Sequence, residues 1–207
     1  MIEFSKFSFQ AISVNYLDRE YSNGDTIILQ LDKYETFLAI NENPRADMTG
    51  TKVSSDKPIS VFSGNSRTSI EFTEPNPSRD HLVEQMPPIE IWGTRYITVS
   101  TPGRTVGDYF KILASEANTR VNLVSLGESF TLPEPGSFRQ IRVPSGKCTV
   151  IEANKPIMVV MFVLSQRSRN DPERADPSMV ILPPIEQFRH QYDINVIEPI
   201  YFQHFFL

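Results

Sequence analysis

The sequence predicts an all-β chain built from tandemly repeated, sandwich-like modules, and three observations carry that prediction. Fourteen Phe and seven Tyr join many Val, Ile and Thr, the aromatic and branched residues that fit a pleated surface. Sixteen Pro against nine Gly in 207 residues cut the chain into short segments and argue against long helices. Two blocks of sequence also recur in the same order at nearly one spacing, the mark of an internal repeat.

The first block, "TKVSSDKPISV" from Thr51, aligns with "TVIEANKPIMV" from Thr149, 98 residues on. The second, "DHLVEQMPPIEIWGTRY" from Asp80, aligns with "DPSMVILPPIEQFRHQY" from Asp176, 96 residues on. The stretch between the blocks is shorter in the second copy, as a surface loop tolerates. Pro58 and Pro156 lack an N–H donor and fix φ, so they are expected at a first or edge position of a strand. Asp56 and Asn154 precede them as turn formers. Pro87-Pro88 and Pro183-Pro184 end one strand and stiffen the entry into the next. Trp92 then aligns with Phe188 and Tyr96 with Tyr192, and these aromatics are expected to anchor the core of each unit.

Outside the blocks, "GDTIILQLDKYETFLAI" from Gly24 reads as a hairpin around "DKYE". "GDYFKILASEANTRVNLVSL" from Gly107 repeats that form around "SEANT". The apolar run "IMVVMFVL" from Ile157 falls far short of the ~20 residues of a membrane helix and reads as a buried central strand. The units expected are residues 1–104, residues 105–191 and the start of a third, truncated unit at 192–207. Roughly six to eight strands per unit exceed the four of a propeller blade, which favours sandwiches over a propeller-like ring.

A net charge of −5 leaves no electrostatic footprint for nucleic acid. The nearest basic cluster, Arg167, Arg169 and Arg174, is interleaved with Asp171 and Glu173 and reads as a solvated loop tip. "MIEFSKFSFQ" has no leader pattern, and the chain is expected to be non-exported or a part of a longer protein, the apolar "IYFQHFFL" favouring the second. The single Cys148 cannot form a disulfide framework. Its alternation with Val150 predicts a small core-facing residue.

Catalytic and metal chemistry find little support. Asp80, His81 and Glu84 could supply oxygen and nitrogen ligands to a metal, but only Asp80 recurs in the second copy, as Asp176. His190 and His204 are expected in strands without ligand spacing. No nucleophile elbow occurs, Gly103 and Gly107 do not form a phosphate cradle, and Glu71 and Glu74 sit in a polar, Pro-rich loop. No catalytic, cofactor-binding or metal-binding residues are expected, and no enzyme.

Taken together, "DMTGTKVSSDKPISVFSGN", "DHLVEQMPPIEIWGTRYITVS", "GDYFKILASEANTRVNL" and "DPSMVILPPIEQF" resemble the N-terminal domain family of IgG Fc-binding protein. The resemblance spans Gly24 to the end. It implies a secreted or surface-exposed setting and an adhesive or structural role in mucus or extracellular matrix. Vertebrate members stand at the front of large mucin-like proteins with von Willebrand factor type D modules. Those relatives carry a cysteine cluster in the loop before the Asp-His-Leu-Val-Glu block; here "SGNSRTSIEFTEPNPSRD" has none, so no disulfide supports that loop. The expected partners are proteins, including further modules of the same polypeptide or mucin-type glycoproteins, met through loops and edge strands, above all the loop Ser63–Arg79. The alternative is a carbohydrate-binding module that stacks sugars on Trp92 and Tyr96.

Overall fold

A computed structural model describes residues 1–71, 78–166 and 176–193. Within them the chain is all-β. The N-terminal strands are β1 (Ile2–Glu3), β2 (Val14–Tyr16), β3 (Arg19–Tyr21), β4 (Thr26–Ile27) and β5 (Lys52–Val53). Next come β6 (Phe62–Thr68), β7 (Asp80–Gln85) and β8 (Gly93–Ile97). The remaining strands are β9 (Asp108–Ala114), β10 (Thr119–Leu123), β11 (Glu128–Leu132), β12 (Phe138–Val143), β13 (Val150–Val163) and β14 (Ser178–Ile181). The only helical pieces among the described residues are single 3₁₀ turns at Ile89–Ile91, Val124–Leu126 and Ile185–Gln187.

Seven strands gather into one sheet in the order β11-β10-β13-β9-β12, with β8 and β14 also paired to β13. The first half of β13 lies between β10 and β8, and the second half between β9 and β14. Side chains alternate along it. Ile157, Val159 and Met161 enter one core with Phe110, Ile112 and Tyr96, while Met158 and Val160 enter a second with Leu113. Burial on both faces explains why this strand is a continuous apolar run. Pro156 sits inside β13, not at its start as expected. The β8 register shifts between Glu152 and Ile157, so the missing N–H breaks no ladder bond, and the Pro156 carbonyl accepts from both N–H and Oγ of Ser115.

Neither Gly-Asp segment forms the expected hairpin. β9 and β10 are both present, but β13 inserts between them. The turn joining them is held by β13 instead: Lys155 Nζ donates to Ala117 O at 2.6 Å and Arg120 N–H to Asn154 Oδ1 at 2.7 Å. In the first copy only Thr26–Ile27 is a strand, and it pairs with β1. The "DKYE" turn does close, with Glu35 N–H donating to Asp32 O at 3.1 Å, but no ladder flanks it.

The second aligned block reappears as one local structure. β6 pairs β7 through Phe62↔Gln85, Ser63↔Glu84, Gly64↔Val83 and Asn65↔Leu82. β13 pairs β14 through Val160↔Ile181, Met161↔Val180, Phe162↔Met179 and Val163↔Ser178, the same register at the 98- and 96-residue spacings. Both hairpins run into a Pro-Pro and a 3₁₀ turn with matching caps. Pro88 (φ −62°, ψ 150°) corresponds to Pro184 (φ −69°, ψ 153°), and Trp92 (φ −68°, ψ 145°) to Phe188 (φ −63°, ψ 143°). The expected core role holds only in the first copy. Tyr96 is buried and Trp92 half-buried, whereas Phe188 and Tyr192 are exposed, because no strand corresponding to β13 lies over them among the described residues.

A separate N-terminal core, Ile2, Phe4, Ile12, Val14 and Ile27, is overlaid by Phe37 and Tyr16. It is fastened to the large sheet by Lys111 of β9, whose Nζ donates to Asp47 Oδ2 and, at 3.1 Å, to Thr49 Oγ1. The same ammonium lies 5.3 Å from the Phe138 ring centre and 5.4 Å from that of Phe162. Burial raises the Asp47 carboxyl pKa, but the Lys111 charge and the bonds from Lys111 and Thr49 outweigh it and hold the group below its ordinary 3.8.

Two predictions follow from these contacts. The Tyr96 hydroxyl accepts from Gly93 N–H at 3.2 Å and donates to Ile157 O at 2.6 Å, all buried; Tyr96→Phe should cost about 1–3 kcal/mol in urea unfolding through the two orphaned groups. A carboxylate with a depressed pKa contributes stability above its unfolded pKa, and that contribution is lost as pH falls through the folded value. Asp47→Asn should therefore lower the urea midpoint at pH 7, and the difference should narrow as pH falls below the ordinary 3.8.

Candidate functional site

The β6–β7 hairpin and the Pro-Pro turn after it carry the most exposed organised surface. "ISVFSGNS" from Ile59 places Ser, Gly and Asn where the second copy has "IMVVMFVL", so this hairpin cannot insert into a two-sided core. Phe62, Gly64, Val83 and Gln85 share one face. Phe62 is 62% exposed and Val83 51%. Their counterparts, Val160, Met179 and Ile181, pack in the core that also receives Met86 and Trp92. The opposite face of β7 is anchored by buried Leu82. Among the described residues β6 pairs with β7 alone, leaving its outer edge open. Val61 O accepts from Met86 N–H at 2.8 Å, so Phe62 N–H, one residue on, points away from β7.

The two Pro-Pro turns meet and leave a cleft of ≈ 190 Å³ between them, floored by Met158 and Ile181 and walled by Trp92, Pro87, Pro183 and Gln187. Thr94 donates through N–H at 2.8 Å and Oγ1 at 2.7 Å to Glu186 Oε1, and Gln187 Nε2 donates to Ile91 O at 2.8 Å. Slight burial raises the Glu186 carboxyl pKa, yet the Thr94 bonds outweigh it and the group lies below its ordinary value. A Cβ at Gly93 would overlap the Pro184 ring, so Gly93 lets the turns close. Burial pushes the Tyr96 hydroxyl up to about 12, keeping it a neutral donor.

The metal candidate does not assemble. Along β7, Asp80 and Glu84 project from one face and His81 from the other. Asp80 Oδ1 instead accepts His81 N–H at 2.7 Å, and no group of three His, Cys, Asp or Glu converges among the described residues. Tyr96 is enclosed, so only Trp92 of the sugar-stacking pair reaches a surface. Cys148 is exposed, not core-facing: it ends the turn before β13, and the buried position falls to Thr149, which exchanges bonds with Thr98. The expected loop Ser63–Arg79 begins as strand, since Ser63–Thr68 belongs to β6. Glu71 pairs with Arg142 at 3.3 Å, and His190 lies in a bend. Glu74, Arg167, Arg169, Asp171, Glu173, Arg174, His204 and residues 194–207 lie outside the described residues. Gly93 and Glu186 were missed; the recurrence of Glu beside both Pro-Pro pairs was the available signal. Among the described residues no helix is long and apolar enough to cross a membrane.

The family model described as "IgGFc binding protein" matches residues 7–206. A human protein named "IgGFc-binding protein" is 25% identical over 186 residues, which cover 89% of this chain and 3% of that protein. The chain thus spans a small fraction of that relative. No solved structure matches.

The turn–turn contact predicts the behaviour of the single tryptophan. Gly93→Ala should push Pro184 away and cost about 1–3 kcal/mol. The same change should raise acrylamide quenching of Trp92, measured at a denaturant concentration where both proteins are folded.

Proposed function

Because the chain belongs to the IgGFc-binding protein family, we propose that it is a non-enzymatic, extracellular protein-binding module that engages partners through the β6–β7 hairpin. One observation carries this reading: a strand with an open edge and an exposed apolar face, Phe62 and Val83, whose counterparts in the same chain, buried Val160 and half-buried Met179, pack in a core. An extended segment of a partner can add its backbone to such an edge while the neighbouring face receives its apolar side chains. Edges left open in soluble proteins are ordinarily blunted by charge, proline or a covering element; here Arg67 is the only charge on β6. The adhesive role, the mucus or matrix setting, the secreted location and the organisation into related β modules belong to this proposal; the relative's printed name supports its protein-binding part.

The Fc fragment of immunoglobulin G and a displayed peptide library are the two probes. The unsubstituted chain should select extended, apolar-alternating peptides. Phe62→Pro, which removes both the outward N–H and the ring, should weaken their binding, and any Fc binding, at least tenfold, about 1.4 kcal/mol, with the far-UV circular dichroism unchanged. Peptide selection that is indifferent to this substitution would remove the hairpin from the binding surface.

A further inference from the structure

We infer that Arg189–Asp193 is a docking strand for a further copy of this β unit, presented by the Pro183-Pro184 turn as β8 is presented by the Pro87-Pro88 turn. The argument begins with a tyrosine. Gly93 N–H donates to Tyr96 Oη at 3.2 Å, and Arg189 N–H donates to Tyr192 Oη at 2.8 Å. Donor and acceptor both correspond at the 96-residue spacing, so the chain ties the same knot after each turn. The knots differ in what covers them. Tyr96 is 1% exposed, and its hydroxyl donates to Ile157 O of β13. Tyr192 is 63% exposed and Phe188 47%, whereas Trp92, which Phe188 matches, faces Met158 and Ile181 across the cleft.

The N-terminal end shows the same exchange from the other side. β1 pairs β5 through Ile2↔Val53 and Glu3↔Lys52. At the 98-residue spacing Val53 and Lys52 correspond to Ile151 and Val150, which pair with Tyr96 and Ile97 of β8. β1 therefore fills in the first unit the place that β8 fills in the second. In each unit this aligned stretch, β5 in one and the start of β13 in the other, pairs with a strand that precedes the Gly-Asp segment. In the one junction visible, that strand leaves the previous unit's Pro-Pro turn directly. The unit boundaries accordingly fall at 92/93 and 188/189, earlier than the 104/105 and 191/192 expected from the aligned blocks. The partner that Arg189–Asp193 fits is a strand of β13 type, with a backbone carbonyl set to accept the Tyr192 hydroxyl and an apolar floor for Phe188. A further copy of the unit supplies both. This rests on the internal correspondence alone and is independent of partner binding at β6.

The test extends the full chain. The 96-residue spacing aligns Leu207 with Lys111, so a copy of residues 112–188 is appended after Leu207, and hydrogen exchange is followed by mass spectrometry. Amides of Arg189–Asp193 should exchange at least tenfold more slowly in the extended chain than in the original. Tyr192→Phe should reverse much of that protection across Arg189–Asp193 in the extended chain, whereas in the original it should speed exchange only at the Arg189 amide, which loses its Tyr192 Oη acceptor. Unchanged exchange at Arg189–Asp193 while the appended copy is protected would overturn the proposal. An appended copy that stays exchange-labile would overturn it equally, since Arg189–Asp193 would then fail to do for it what Gly93–Ile97 does for the unit before.

Discussion

The structure depends on the two-sided burial of β13. One strand of fourteen residues supplies the inner row of two cores and pairs with four other strands. Its register therefore cannot slip: a shift of one residue would exchange every side chain between the cores. The changeover from one pair of neighbours to the other falls at Asn154–Pro156, where a ladder irregularity, a proline and a lysine reaching the Ala117 carbonyl coincide. The Tyr96 hydroxyl closes that point from the side by bonding Ile157 O. The long strand is thus two short ones, welded in a single register.

The first copy of the hairpin shows what the same backbone does without that burial. Register, the Pro-Pro pair and the 3₁₀ turn are retained, while the apolar residues of the central strand give way to Ser60, Ser63, Gly64 and Asn65. Polar side chains cannot enter a two-sided core without hydrogen-bond partners, so the strand stays at the surface. The contrast between the hairpins is one of cover, not of geometry. One copy builds the interior and the other faces outward.

Much of this was legible in the sequence. Composition indicated the β class, the Pro-Pro-Ile-Glu blocks marked two equivalent turns, and "IMVVMFVL" marked the buried strand. Strand pairing was not legible. β9 and β10 have the form of a hairpin, but a strand some thirty residues later in the chain lies between them, and local turn chemistry carries no record of such an insertion. Cys148 was misplaced because alternation was counted across a turn, where period two does not hold. The core role assigned to all four aligned aromatics failed for Phe188 and Tyr192, since equivalence in sequence fixes local conformation and leaves open what lies above it. The open edge of β6 could have been read from the polar substitutions in the first block. The Thr94–Glu186 and Gln187–Ile91 contacts could not, because they join residues more than ninety positions apart.

Gly93 follows Trp92 without an intervening spacer, so the peptide that leaves one turn is already a rung of the next sheet. At that joint the chain has two prolines, a packed indole and a tyrosine held by Gly93 and Ile157. Tension along the polypeptide at that joint is borne by the β8–β13 ladder itself. The joint behaves as a stiff splice, and it aims the outward-facing hairpin in a fixed direction relative to the large sheet.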